Sequence, residues 1–438
     1  MNRNSFADIL KEIDRRQDRK IIDKIPSLSG IKVPAGLSLE QCSSEAAALH
    51  KASLAARFAE DSSVGNEGSA LPPGSGTLTP GENGTKTSKR IADLTGGLGV
   101  DCWAFTRHFD AVYYNEMKPD HVKAAEENFT NLGISGTEFH NDTVKPEDDG
   151  WKTALVRFRP DIIYLDPARR DNNGKKVFLL EDCSPNILQL MPDLLSIAPK
   201  LMVKLSPMAD ISLIAKRLSG CCMEASGSSG IRSVYVVGFD GECKELLCLI
   251  DRNWQGPFSV LTEEISKDGS VKASSGNNSE SPLKIASEKE LIQGRILLIP
   301  TSSAMKSGCH ERICAETGIA KLDRFTNIYI AAQPEIGRLG TYKEFFRIYT
   351  VEEILPLNNA SIKELGRRYP NADVSAKNIP MTSEELRSRI TGGKKRSYVG
   401  SSSPAVLITG FSTPYGRFLA CLSHFTDCRN SQTSCQEN

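Results

Sequence analysis

The chain has 438 residues, with 54 basic and 54 acidic side chains and a formal net charge of zero. That length exceeds one ordinary core and predicts two or three domains, and the balanced charge excludes a long-range basic field, so any nucleic-acid contact must come from a local patch. No apolar run reaches the ~18–20 residues that a bilayer span needs, and the N-terminus lacks an apolar signal core, so a cytoplasmic chain with no membrane partner is expected.

Residues 1–60 predict a helical region. Phe6, Ile9, Leu10 and Ile13 fall at helical spacing, and Ser44 to Phe58 is rich in Ala and Leu. Residues 61–88 are dominated by Gly, Ser, Pro and Thr, as in Leu71-Pro72-Pro73-Gly74-Ser75-Gly76, and predict a flexible linker. A sheet-forming block follows over 89–255. Four apolar runs in it each close on an acid, Asp93, Glu116, Asp142 and Asp166, spaced 23, 26 and 24 residues apart. A strand, crossover helix and next strand need about 25–30 residues, so this is the beat of a parallel βαβ series. Leu201 to Leu205 is a fifth strand. Ser233–Phe239 and Glu245–Ile250 lie too close together for a crossover and predict a hairpin around Asp240-Gly241. Five parallel strands closed by an antiparallel hairpin give an α/β, Rossmann-like fold of the class I methyltransferase type.

Residues 256–290 predict a low-complexity linker, with 266–281 its loop. Two small α+β modules are expected beyond it, at 291–355 and 356–425. The first has strands near Arg295–Pro300, Asn327–Ala331 and Phe345–Tyr349, and a helix from Ala304 to Thr317. The second has helices near 359–368 and 382–390 and strands at Ala372–Lys377 and Val406–Thr409. A disordered tail is expected over 426–438. Twelve cysteines form no Cys-x-x-Cys pair, and Cys309 and Cys314 have no second ligand pair nearby, so free thiols and no metal site are expected.

Parallel sheets bind ligands beyond the carboxyl ends of their strands, where the four acids fall. Gly96, Gly97 and Gly99 form a turn that lets a ligand lie against bare backbone. A third dinucleotide-type glycine would stand at 102, where Cys102 is found, so a pyrophosphate is less well served than S-adenosyl-L-methionine. Asp93 then contacts the amino-acid end of that cofactor, directly or through water, and Asp101 closes the loop over it; Thr95 belongs to the same turn. Glu116 suits the two ribose hydroxyls. Asp142 suits the adenine amino group, with Asn141 its rival in the same turn. In Asp166-Pro167-Ala168-Arg169-Arg170, Pro167 stiffens the turn so that Asp166 faces a substrate near the methyl group. Arg169 and Arg170 can grip phosphate or stack on a base. Lys204, ending the fifth strand on the same rim, either flanks the substrate pocket or is a surface lysine.

Asp93 to Asp101, Leu165 to Arg170 and Lys204-Leu205-Ser206-Pro207-Met208 together resemble the class I methyltransferases with a C-terminal THUMP-like domain, typical of Bacteroidetes. Ala304 to Gly308 with Gly318 to Leu322 resembles the ferredoxin-like module those proteins carry, and Lys377 to Arg387 resembles the THUMP-like module itself. The resemblance spans most of 89–425. THUMP domains elsewhere recognise folded RNA, so it implies methyl transfer to RNA, tRNA or rRNA first, through the C-terminal modules. Arg367-Arg368-Tyr369 and Lys394-Lys395-Arg396-Ser397-Tyr398 interleave cations with aromatics in keeping with that. Amino-directed methyltransferases carry Asn/Asp-Pro-Pro and an aromatic where Ala168 and Arg169 stand, which leaves the methylated atom open. Rival readings are a methyltransferase for a protein or small molecule, a non-catalytic RNA-binding protein, and a nucleotide-dependent oxidoreductase; Cys102 and the terminal hairpin argue against the last.

Overall fold

The computed structural model describes residues 21, 23–34, 39, 42–61, 88–168, 180–277, 281–291, 295–392 and 406–425. The helix expected from Phe6, the linker beyond Asp61, Arg169, Arg170, the Lys394–Tyr398 run and the tail from 426 lie outside them. The chain divides into two compact units, 1–274 and 275–438. Among the described residues no helix is long and apolar enough to cross a membrane.

The N-terminal unit is built on strands β1 (Arg90–Asp93), β2 (Ala111–Asn115), β3 (Thr137–His140), β4 (Ile162–Leu165), β5 (Lys200–Leu205), β6 (Ile231–Phe239), β7 (Glu242–Asp251), β8 (Ser259–Ile265) and β9 (Val271–Gly276). Their order in the sheet is β3-β2-β1-β4-β5-β7-β6-β8-β9. The first five pair in parallel, and β7 runs antiparallel to both β5 and β6. This is the fold predicted above. Strands of period 2 bury alternate residues on opposite faces. Ile91, Tyr114 and Tyr164 pack on one face beneath helices α1 (Glu45–Glu60), α2 (Val100–Phe105) and α3 (Pro119–Asn131). Ala92, Tyr113 and Ile163 pack on the other, beneath α4 (Gly150–Phe158), α5 (Ile187–Ile197) and α6 (Ile211–Ser226).

Strands β8 and β9 correct the expectation of a linker over 256–290. Val260, Leu261 and Ile265 are buried, and β8 pairs in parallel with β6. The polar run 266–270 is the turn between the two strands: Asp268 accepts the Ser270 N–H (3.0 Å), and the Ser266 N–H bonds the Ser270 carbonyl (2.9 Å). Its composition is that of a turn rather than of a linker.

In the C-terminal unit the described elements are β10 (Ile296–Pro300), α7 (Ser302–Ser307), α8 (Cys309–Thr317), β11 (Ala320–Asp323), β12 (Thr326–Ala331), α9 (Gln333–Leu339), β13 (Phe346–Pro356), α10 (Asn359–Arg368), β14 (Asp373–Lys377), α11 (Ser383–Thr391), β15 (Val406–Thr413) and β16 (Gly416–His424). The single helix expected from Ala304 to Thr317 is two, because Gly308 takes a left-handed conformation between them. One sheet, β11-β12-β10-β13-β16-β15-β14, runs through both expected modules. The long β13 joins them: its first residues pair with β10 and its later ones with β16. Leu322, Ile328, Phe411 and Leu422 share one core, so the sheet curls until its β11–β12 end reaches β15. Helices α10 and α11 cover the opposite face through Leu365, Leu386 and Ile390.

Candidate active site

The rim formed by the ends of β1 to β5 is built on the glycine turn after β1. A Cβ on Gly96 would stand 2.3 Å from the Tyr114 ring, so no other residue fits without moving that buried aromatic. Gly99 opens α2 at φ +84°, a left-handed conformation that side chains rarely adopt. Tyr114 Oη donates to the Gly97 carbonyl (2.7 Å), and the Gly97 N–H donates to Glu116 Oε2 (3.2 Å). The other Glu116 oxygen accepts the Lys118 N–H (3.1 Å). Glu116 is thus fixed over Gly97, with lone pairs left for a ligand.

Asp93 lies beneath this turn and is 1% exposed. Its Oδ1 accepts the Thr95 N–H (2.9 Å) and hydroxyl (3.1 Å), while Cys102 Sγ donates to its Oδ2 (3.3 Å). Burial, reinforced by Asp101, pushes its carboxyl up to about 7. The Thr95 hydroxyl also accepts the Asp166 N–H (2.7 Å), which ties the β1 and β4 loops together.

The folded state therefore keeps an Asp93 proton that the unfolded chain, near the usual 3.8, has lost, and stability should fall as pH rises from about 4 to 7. A shift of that size corresponds to roughly 4 kcal/mol. In urea titrations, Asp93→Asn should lack that decline and exceed the wild type in stability above pH 7. Parallel pH profiles for the two proteins would contradict the assignment.

At the end of β2, buried Asn115 clips the next loop in both directions. Its Nδ2 donates to the Asp142 carbonyl (3.0 Å), and its Oδ1 accepts the Asp142 N–H (2.8 Å). Asn141 Nδ2 donates to the Glu116 carbonyl (2.7 Å), whereas the Asp142 carboxylate has no hydrogen-bond partner among the described residues. Asp142 therefore remains available to a ligand where Asn141 Nδ2 is engaged.

Asp166 caps β4, and Lys204 Nζ, from the end of β5, donates to its Oδ2 (2.5 Å). Burial pulls the Lys204 ammonium down, but Asp166, Glu245 and Asp101 outweigh it and hold its pKa above the ordinary lysine value. After Pro167, Ala168 exchanges two backbone hydrogen bonds with Ser184 (2.7 and 3.0 Å), which fixes the segment following Asp166.

Behind Lys204 lies a group of residues that the motifs did not predict. Lys51 of α1 is fully buried; its Nζ donates to both Glu245 oxygens (2.8 and 3.0 Å) and to Ser43 Oγ (3.1 Å), and lies 3.3 Å from Asp101 Oδ1. Asp101 Oδ2 accepts from Ser43 Oγ (2.9 Å) and Tyr164 Oη (3.0 Å). Burial opposes the Asp101 charge, yet Lys51, Lys204 and these hydroxyls keep its carboxyl below the usual value. The only sequence signal was a lysine on the buried face of an Ala-rich helix; its partner Glu245 is 194 residues away. The rim thus brings together Asp93, Thr95, Gly96, Gly97, Gly99, Asp101, Glu116, Asp142, Asp166, Pro167 and Lys204. Asp101 and Lys204 face protein partners there. Among the described residues no group of three or more His, Cys, Asp or Glu is placed to hold a metal ion.

Residues 346–409 match the family model described as THUMP domain-like. The chain carries a THUMP-like segment. It begins at the first residue of β13 and extends into β15. No curated protein matches the chain in sequence. A crystal structure of a candidate methyltransferase from Porphyromonas gingivalis W83 superimposes with a TM-score of 0.67 at 21% identity, over 94% of this chain and 89% of that one. That likeness spans the methyltransferase-type sheet and the THUMP-like segment, and at this identity it concerns the fold. A human methyltransferase 10 domain containing protein overlaps 55% of this chain and 97% of its own (11% identity, TM-score 0.35). An rRNA methylase from Streptococcus thermophilus overlaps 37% and 86% (12% identity, TM-score 0.26). These two overlaps are too loose to carry an argument.

Proposed function

We propose that the chain is an S-adenosyl-L-methionine-dependent methyltransferase that modifies RNA, with tRNA or rRNA the first substrates to test. The observation that carries the cofactor reading is the Glu116 carboxylate held against the Gly97 N–H at the end of β2. It places a two-oxygen acceptor beside bare backbone, which suits a ribose diol; Asp142, one strand further along, suits an adenine amino group. The open space over Gly97, where a Cβ would have its nearest neighbour at 3.8 Å, leaves room for such a ligand. When bound, the sulfonium would supply an already activated methyl group. The chain's own work is then placement: Asp166 orients the nucleophile or takes its proton, with Arg169 and Arg170 proposed on the substrate. Lys204 acts through Asp166 rather than on the substrate. The THUMP-like segment supports RNA as that substrate.

Calorimetric titration of S-adenosyl-L-methionine and S-adenosylhomocysteine tests the pocket. Glu116→Ala should weaken both by on the order of 100-fold, the worth of two hydrogen bonds to a charged acceptor. Equal affinity in the variant would remove Glu116 from the site. Transfer of labelled methyl groups into total cellular RNA, set beside a protein extract, tests the substrate class.

A further inference from the structure

Both hairpins at the curled end of the C-terminal sheet close through two-residue loops that present an aromatic ring to solvent. Asp323 pairs with Thr326 and Thr413 with Gly416, so the loops are Arg324-Phe325 and Pro414-Tyr415. None of the four loop residues has positive φ, and a turn of that kind accepts most side chains, with Pro414 and Gly416 at favoured positions. Each loop carries an aromatic, Phe325 at 75% exposure and Tyr415 at 48%, which turn chemistry does not call for. Side-chain hydrogen bonds tie the two hairpins to the end of β14. Thr326 Oγ1 donates to the Ser412 carbonyl (3.1 Å), Asn378 Nδ2 donates to Thr326 Oγ1 (3.1 Å), and Ser412 Oγ donates to the Asn378 carbonyl (2.5 Å). The rings therefore stand on a braced platform rather than on loose tips. Exposed Arg324, Lys377 and Arg417 belong to the same loops and strand ends, where Asp323 is the one acid. Beside Tyr415, Arg417 and Thr413 line an open depression of about 650 Å³ with Pro356, Leu357 and Asn358.

We infer that this platform binds unpaired RNA, bases stacking on Phe325 and Tyr415 and phosphates meeting Arg324, Lys377 and Arg417. The inference rests on the RNA reading above and deepens it. Cations alone would fit any polyanion, and exposed rings alone would fit a protein. The two together, on a rigid base, fit a strand whose base faces are free, because a duplex buries those faces in its own stack. Arg324, Phe325, Tyr415 and Arg417 lie outside the residues that match the THUMP-like family model.

Fluorescence anisotropy tests this on the full chain with two labelled RNAs: a hairpin with a twelve-nucleotide single-stranded 3′ tail, and the same hairpin blunt-ended. The tailed RNA should bind at least tenfold tighter. Phe325→Ala and Tyr415→Ala should each lose about tenfold on the tail and little on the blunt hairpin. Replacing Arg324, Lys377 and Arg417 together by alanine should lower the slope of log affinity against log salt by about 2. Cofactor affinity and circular dichroism should not change in any of them, since the substituted side chains are exposed. Variants that bind the tail like wild type overturn the platform and leave the RNA reading standing. A wild-type chain that binds neither RNA overturns both. Dimerisation of the wild type that Phe325→Ala abolishes, with RNA affinity unmoved, would make the rings a self-association patch and overturn the platform too.

Discussion

Asp166→Asn is expected to lower kcat for methyl transfer by on the order of 10²–10⁴-fold, the usual worth of a positioned acid–base group, while cofactor affinity stays within a few-fold of wild type. Asparagine keeps the size of the side chain and the backbone N–H that donates to Thr95 Oγ1. It removes the charge and the capacity to take a proton. The complication is Lys204, whose ammonium lies 2.5 Å from Asp166 Oδ2 and loses its nearest partner in the variant. Loss of activity could then reflect a displaced lysine rather than a missing base. The double variant Asp166→Asn/Lys204→Met separates the two. If Asp166 serves only to neutralise Lys204, removing both restores most of kcat; if Asp166 orients or deprotonates the nucleophile, the double variant stays as inactive as the single. Lys204→Met alone should lower kcat less than Asp166→Asn and shift the pH profile, because it leaves the carboxylate in place without its ion pair. Lost cofactor binding in Asp166→Asn would move this residue from the substrate side of the rim to the cofactor pocket.

Much of the N-terminal sheet was legible in the sequence because β1, β2 and β4 are short apolar runs that each stop at or just before an acid. Asp93, Glu116, Asp142 and Asp166 all lie at or within two residues of the carboxyl ends of strands in one parallel series, whose regular spacing made it legible. Strand β9 was not legible. Val271 to Gly276 is mostly small and polar, its place depends on neighbouring backbone, and local composition points to a loop. The break at Gly308 was missed because apolar spacing continues across it, while one left-handed residue ends the helix. The site shows the same division. Glycines and strand-end acids are local and announce themselves. Which oxygen each acid offers depends on contacts such as Tyr164 to Asp101 and Lys51 to Glu245, between residues far apart in the chain. From sequence Asp101 was expected to close the loop over the cofactor, and Lys204 either to flank the substrate pocket or to lie at the surface; each has a charged neighbour within the protein.

Lys51→Met should destabilise the N-terminal unit by about 3–5 kcal/mol, the cost of stranding buried charge. Lys51 and Lys204 are the two cations among three carboxylates, Asp101, Asp166 and Glu245. Methionine fills a similar volume but leaves Glu245 and Asp101 without the ammonium that bonds one and neighbours the other, both largely shut off from water. Thermal unfolding should move down by on the order of 10 °C for a unit of this size. Adding Glu245→Leu should recover a large part of the loss, since an apolar pair of matching shape avoids the desolvation of both ions. The recovered double variant is informative about function as well. Asp101 would still accept from Ser43 and Tyr164, so the glycine turn should remain in place and cofactor should still bind. A double variant as stable as wild type that has lost cofactor affinity would mean that α1 is more than a structural cover: its lysine would set the charge of the Asp101 end of the pocket. Destabilisation under 1 kcal/mol in the single variant would show that water reaches Glu245, and that the buried ion pair does not hold α1 to the sheet.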